Sequence, residues 1–244
     1  MIEDEFAAAL ASSGLMLETP LTIQLQRYVQ TMWRHNTQVN LTRHTTWELF
    51  VTRDLRDVLQ LATLLQPDEE VLDLGSGNGV PGIPLSILRP DINMSLAESV
   101  GKRAKVLDAL ITELELPIAV YAARGEDLLE DFRFSTIVSR AVGSLSKFCQ
   151  WMQPNWSHVD RLLLIKGPRW VAERAEARHL GLLRGIELRV AATYSLQPDD
   201  PSIPHEPDNP QSPDASIACE STPDNAAYGD PGQGVVLQLR RKPN

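Results

Sequence analysis

The chain reads as an α/β protein: a doubly wound sheet of about seven strands, mostly parallel with the last pair antiparallel, behind an N-terminal helical subdomain. Three observations predict this. From residue 70 onward, short and nearly continuous apolar runs alternate with amphipathic stretches, as parallel strands do when helices cover both faces of their sheet. A glycine-rich turn, Asp73-Leu74-Gly75-Ser76-Gly77-Asn78-Gly79, stands directly between the first apolar run and a helix start. Residues 1–66 carry helical spacing and nothing that alternates like a strand.

Taken in order, Leu21, Leu25, Tyr28 and Met32 recur at helical spacing, as do Trp47, Val51, Leu55, Val58, Ala62 and Leu65, until Pro67 breaks the pattern. Trp33 and Trp47 fall on these apolar faces and are expected in the core. EVLDL at 70–74 is the first strand, IPLSILR opens a helix after the glycine turn, and NMSLAE at 93–98 is the second strand. Val100, Ala104, Leu107, Ile111 and Leu114 draw one face of a helix. IAVYAA (118–123), FSTIVS (134–139) and RLLLIK (161–166) are the next strands, with helices near 145–153 and 170–183 between and after the last two. ELRVAATYSL and VVLQLRR close the sheet as an antiparallel hairpin. The domains expected are a helical region at 1–66, a ligand-binding sheet domain at 67–196, an insertion at 197–233 and the final strand at 234–244.

The insertion carries most of the charge imbalance. Residues 195–234 hold eight acids, eight of the 17 prolines and no Lys or Arg, within a chain of net charge −9. With so few large apolar groups, this stretch cannot offset the cost of ordering its backbone and is read as a solvated spacer. Without it and the acidic first 20 residues, the body has 23 bases against 20 acids, a balance compatible with an RNA substrate. The N-terminus MIEDEFAAALASSG is acidic, unlike a signal peptide, and no apolar run approaches the roughly 18 residues that span a bilayer. Two cysteines without C-x-x-C spacing and five scattered histidines suggest a reduced, cytoplasmic protein with no metal site. Cys149 is expected to be a small apolar group on a helix.

The glycine turn points to a ligand. A loop of this kind between strand and helix exposes bare backbone, and the helix beyond it offers free N–H groups, at the sheet edge where open α/β folds bind ligands. The dinucleotide fingerprint G-x-G-x-x-G would need Gly at 80, where the chain has Val80, so a nicotinamide oxidoreductase is disfavoured. The observed D-x-G-x-G-x-G resembles the first motif of S-adenosylmethionine (AdoMet) methyltransferases. Glu98, at the end of the second strand, is a carboxylate able to accept both ribose hydroxyls.

Further residues narrow the resemblance. Val80-Pro81-Gly82-Ile83-Pro84-Leu85, Gly101-Lys102-Arg103, Arg124-Gly125-Glu126-Asp127, Ser139-Arg140-Ala141, Lys166-Gly167 and Asn40-Leu41-Thr42 occur in an order that resembles the glucose-inhibited division protein B (RsmG) family. The resemblance covers roughly residues 20–195 and the final strand. It implies a Rossmann-like class I AdoMet methyltransferase that modifies a guanine of small-subunit (16S) ribosomal RNA at N7, in the cytoplasm, as a monomer. It also implies site roles. Asp73, Gly75, Gly77, Gly79 and Val80 would form the cofactor loop, with Glu98 on the ribose. Gly125 and Glu126 would meet the adenine end. Arg140 would lie beside cofactor and base as the catalytic-site residue, and Lys102, Arg103 and Lys166 would line the RNA approach. Taken without the resemblance, these cations read equally well as ion pairs or a solvated helix face.

Two features depart from the family pattern. Where the family carries a His and then an Asp-Ser pair, this chain has Asp54, Asp57 and Val58, and Asp54 is expected to repel phosphates. The acidic insertion is also foreign. These features leave a divergent paralogue or a non-catalytic ribosome-binding module as alternatives. Guanine N7 has a free lone pair, so its methylation needs alignment at roughly 3–3.5 Å and no strong base, which assigns Arg140 to positioning. Trp170, among Lys166, Arg169 and Arg174, is the best candidate for stacking on RNA.

Overall fold

A computed structural model describes residues 2–140, 143–195 and 232–242. Nearly all of the insertion placed at 197–233, together with Cys219, lies outside the described residues.

Seven strands form one sheet in the order β3-β2-β1-β4-β5-β7-β6. They are β1 (Glu70–Leu74), β2 (Asn93–Ala97), β3 (Ala119–Tyr121), β4 (Phe134–Arg140), β5 (Val159–Lys166), β6 (Ile186–Ser195) and β7 (Gln233–Arg241). β1 to β5 are parallel, and β7 runs antiparallel between β5 and β6. The chain order reverses at β1, whose neighbours are β2 and β4, so a crevice opens where their carboxyl ends part.

Alternate residues of each strand feed opposite cores. Val71, Val138, Leu163, Ile165 and Val236 face one side, where they meet α1 (Ile2–Ser12), α2 (Thr19–Asn36), α5 (Gly82–Leu88) and α6 (Gly101–Leu114). Leu72, Leu74, Ile137, Leu162, Leu164 and Leu237 face the other, against α7 (Gly125–Asp131), α8 (Leu145–Met152) and α9 (Trp170–His179). Burial on both faces is why these strands read as unbroken apolar runs. The helical region is therefore part of the first layer: Phe6, Leu25, Tyr28, Met32, Phe50 and Leu55 are all fully buried there. Trp47 is buried and Trp33 packs against it at 4.6 Å between ring centroids, as their helical spacing predicts.

α2, with Pro20 in its first turn, ends at Asn36, whose side chain organises the loop that follows. Its Oδ1 accepts the backbone N–H groups of Leu41 and Thr42, at 2.7 and 3.0 Å, and its Nδ2 donates to the Thr42 carbonyl. Thr46 caps the next helix by accepting the Leu49 N–H. That helix runs through α3 (Trp47–Leu49), a π-helical segment at Phe50–Leu55 and α4 (Arg56–Ala62). The spacing of apolar residues predicts the helix but not its π segment, which carries Asp54. On the opposite, amino-terminal edge of the sheet, Arg161 joins the layers: its Nη2 donates to both Glu69 oxygens, at 2.6 and 2.8 Å, and to the Leu64 carbonyl.

Candidate active site

The glycine turn is held from below. Asp73 at the end of β1 is fully buried, and its Oδ2 accepts the Gly82 N–H at 2.9 Å. Burial pushes its carboxyl up to about 7, against the pull of that hydrogen bond. The N–H groups of Gly75 and Ser76 both reach the Ala97 carbonyl of β2, and the Tyr28 hydroxyl of α2 donates to the Asn78 carbonyl at 3.0 Å. Gly79 has φ +93°, a conformation that favours glycine, and a Cβ there would lie 2.6 Å from Ile83 Cδ1, so that side chain would have to shift.

Above the turn, a cleft of about 420 Å³ lies at the carboxyl edge of β1, β2 and β3. Leu74, Gly75, Ala97, Ser99, Arg124 and Gly125 form its floor and one side; Gly143, Lys147, Phe148 and Trp151 form the other. A Cβ on Gly125 would stand 2.4 Å from Leu74 Cδ1 and 2.7 Å from Trp151 Cζ2, so the indole packs directly on backbone. Phe148 braces that indole edge-on at 5.3 Å. The buried Trp151 Nε1–H has no acceptor among the described residues. Flat apolar walls, bare backbone and an unsatisfied donor fit a nucleoside, and AdoMet fits this wall on those grounds.

A second and larger cleft, about 1000 Å³, adjoins the first and shares Gly143 and Lys147 with it. His44, Arg53, Arg140, Lys166, Arg169 and Tyr194 lie on its walls. Arg140, from the end of β4, donates to both Asp54 and Asp57. The Tyr194 hydroxyl donates to Asp57 Oδ1 at 2.5 Å, and His44 Nδ1 lies 2.9 Å from both Asp54 oxygens. Burial opposes charge on Asp54, yet the Arg140 charge and the His44 hydrogen bond outweigh it and hold the carboxyl below its ordinary value. On Asp57 burial wins over Arg140 and pushes the carboxyl up. Burial likewise opposes charge on Arg140, but the two aspartates raise its pKa above the ordinary guanidinium value. Asp54 is 0% exposed, so it does not face incoming phosphates, and the expected repulsion is corrected: its charge is spent on Arg140 and His44.

The structure disperses the predicted residues. Gly75 and Gly125 line the first cleft, and Arg140 and Lys166 the second. Val80 is buried in the core beneath the turn and lines neither cleft. Glu98 is 4% exposed; its Oε2 accepts the Gly77 N–H at 3.0 Å and its Oε1 the Val100 N–H at 2.8 Å. Its oxygens thus brace the turn, with one lone pair each left over. Lys102 is exposed and Arg103 half-buried at the start of α6, and neither lines either of these two clefts. The side chain of Glu126 lies outside the described residues. Lys166 Nζ donates to the Gly143 carbonyl and to Glu173, both at 2.9 Å, and so holds the turn between the clefts. Trp170 carries Arg174 on its ring at 4.8 Å and packs on the second core. Cys149 is buried on α8, and burial pushes its thiol up to about 11. Sequence reasoning did not assign Trp151, Phe148, Tyr194 or His44 to a site. Only Asp54 and Asp57 carried a signal, as departures from a pattern. Among the described residues, no group of three or more His, Cys, Asp or Glu could hold a metal ion.

Comparison with known proteins adds an independent line. A family model described as "GidB: rRNA small subunit methyltransferase G" matches residues 22–196. A "Ribosomal RNA small subunit methyltransferase G" of Rhodopirellula baltica is 64% identical over 244 residues, 99% of each chain. The protein of that name from Mycolicibacterium smegmatis is 37% identical over 159 residues, 62% of this chain and 66% of its own. Among solved structures, a mutant form of MtNAS aligns with a TM-score of 0.50 at 14% identity, over 99% of this chain and 86% of that one, a likeness of fold alone.

Proposed function

Because the chain belongs to the rRNA small subunit methyltransferase G family, we infer that its first cleft holds AdoMet and its second receives a guanine of small-subunit ribosomal RNA, which takes the methyl group on N7. Methyl transfer to small-subunit ribosomal RNA is the activity of the family. The observation that carries the finer reading is that the two clefts meet at Gly143 and Lys147, so a nucleoside in one and a base in the other come together at a single turn.

AdoMet supplies, when bound, a sulfonium methyl that a neutral lone pair can attack. The residues of the chain do the rest. Gly75, Gly77 and Gly79 keep side chains off the turn, while Asp73 and Glu98 hold its shape through the Gly82 and Gly77 N–H groups. Gly125 and Glu126, at the start of α7, belong to the adenine end, with Trp151 as the wall. Val80 supports the loop from the core. Arg140 positions the base, and its charge is offset by Asp54, so the cationic product is not opposed by a bare guanidinium. Lys102 and Arg103 serve the outer RNA path, and Lys166 shapes the turn through Gly143. Each chain carries both clefts, so one copy suffices, and the substrate places it in the cytoplasm with the ribosomes.

Calorimetry with AdoMet tests the first cleft, and saturable binding is expected. Transfer of labelled methyl groups to undermethylated small subunits and to naked 16S RNA, followed by sequencing, tests the second. One labelled guanine that becomes sensitive to N7-specific cleavage is expected; label at another atom or base overturns the assignment.

A further inference from the structure

The loop at residues 37–46 is built around one half-buried imidazole. Asn36 holds the backbone of Leu41 and Thr42, Thr42 Oγ1 accepts the His44 N–H at 3.0 Å, and the Trp33 indole donates to the His44 carbonyl at 2.8 Å. The His44 side chain is 31% exposed and lines the second cleft, while the carboxylate it touches is fully buried. Asp54 is held ionised by Arg140, so it only accepts, and His44 Nδ1 carries the proton between them. That bond fixes the tautomer and the ring plane. The Nδ1 edge turns inward, which leaves Nε2 on the cleft side with no partner among the described residues. A neutral imidazole so oriented presents one lone pair and no donor there.

We propose that His44 is a specificity-determining residue whose Nε2 accepts a hydrogen bond from N1–H of the target guanine. This rests on the function proposed above. The chemistry suits the reaction, because attack through N7 places positive charge on the purine and sharpens its N1–H as a donor. An acceptor at that position therefore binds the transition state better than the ground state. Adenine offers a lone pair at N1, which would face the Nε2 lone pair and be refused.

The test compares small-subunit RNA carrying guanine, inosine or 2-aminopurine at the modified position. Inosine keeps N1–H, and 2-aminopurine keeps N7 but lacks N1–H. The wild-type enzyme is expected to methylate guanine and inosine, and to disfavour 2-aminopurine by about tenfold or more in kcat/KM. His44→Ala should lower the guanine rate toward that of 2-aminopurine, with AdoMet affinity by calorimetry unchanged. His44→Asn keeps an N–H for Asp54 without the Nε2 acceptor, and should behave as the alanine variant. If His44→Ala slows both RNAs equally, or His44→Asn retains the preference, the imidazole acts only through Asp54 and the proposal falls. If the wild-type enzyme binds AdoMet yet leaves guanine unmethylated, the proposed function fails and this inference with it.

Discussion

Gly125 and Arg140 show how single positions control the two clefts. Alanine at 125 would press on Leu74 and Trp151, and overpacking of this kind costs about 1–3 kcal/mol. Gly125→Ala is therefore expected to lower AdoMet affinity by about tenfold or more and to lower the thermal midpoint. Calorimetry and a melting curve on the same preparation separate the two effects. Arg140→Met would strand the buried Asp54 carboxylate, a change that costs about 3–5 kcal/mol. The double variant with Asp54→Asn should recover part of that loss in urea denaturation, because the charge needing a partner is gone. Gly125 was legible in the sequence through the motif around it. Arg140 was legible in the same way, but its contacts were not: His44 comes from the loop at 37–46, Asp54 and Asp57 from the helix that follows and Tyr194 from β6, and they meet Arg140 or its aspartates only when β6 joins the sheet.

α2 belongs to the helical region, yet it reaches the cofactor turn. Its Tyr28 hydroxyl is buried and donates to the Asn78 carbonyl. Tyr28→Phe leaves that carbonyl unsatisfied and is expected to cost about 1–3 kcal/mol in urea denaturation, with weaker AdoMet binding as the turn loosens. A stability loss with AdoMet affinity intact would show that the turn holds its shape without α2. The apolar spacing at Leu21, Leu25, Tyr28 and Met32 predicted this helix and its buried face, but periodicity cannot tell a hydroxyl that touches only core from one that touches a loop. The π-helical segment at Phe50–Leu55 was illegible for a related reason. Its widened turn re-aims Asp54 toward Arg140, and the surroundings set that geometry, not residue propensity.

Across the molecule, burial beneath the glycine turn gives Asp73 a contribution to stability that depends on pH. Burial pushes the Asp73 carboxyl up to about 7 in the fold, against about 4 in an unfolded chain. Between those values the folded state keeps a proton that the unfolded state has released. This contribution is therefore fully present below about pH 4, declines as pH rises, and is gone above about pH 7. Asp73→Asn keeps an acceptor for the Gly82 N–H and has no such proton. The stability difference, wild type minus variant, should fall between pH 4 and 7 and then stay level in urea titrations. A difference without slope would show that Asp73 is ionised in the fold.

The order of strands and helices, the glycine turn and the methyltransferase family could all be read along the chain, because each rests on neighbours in sequence: apolar alternation, a turn that only glycine tolerates, short motifs in a set order. The second cleft could not. It depends on charges that are hidden from water and matched across the sheet, and a carboxylate such as Asp54 reads as repulsive until folding brings Arg140 and His44 to it and water is excluded from all three.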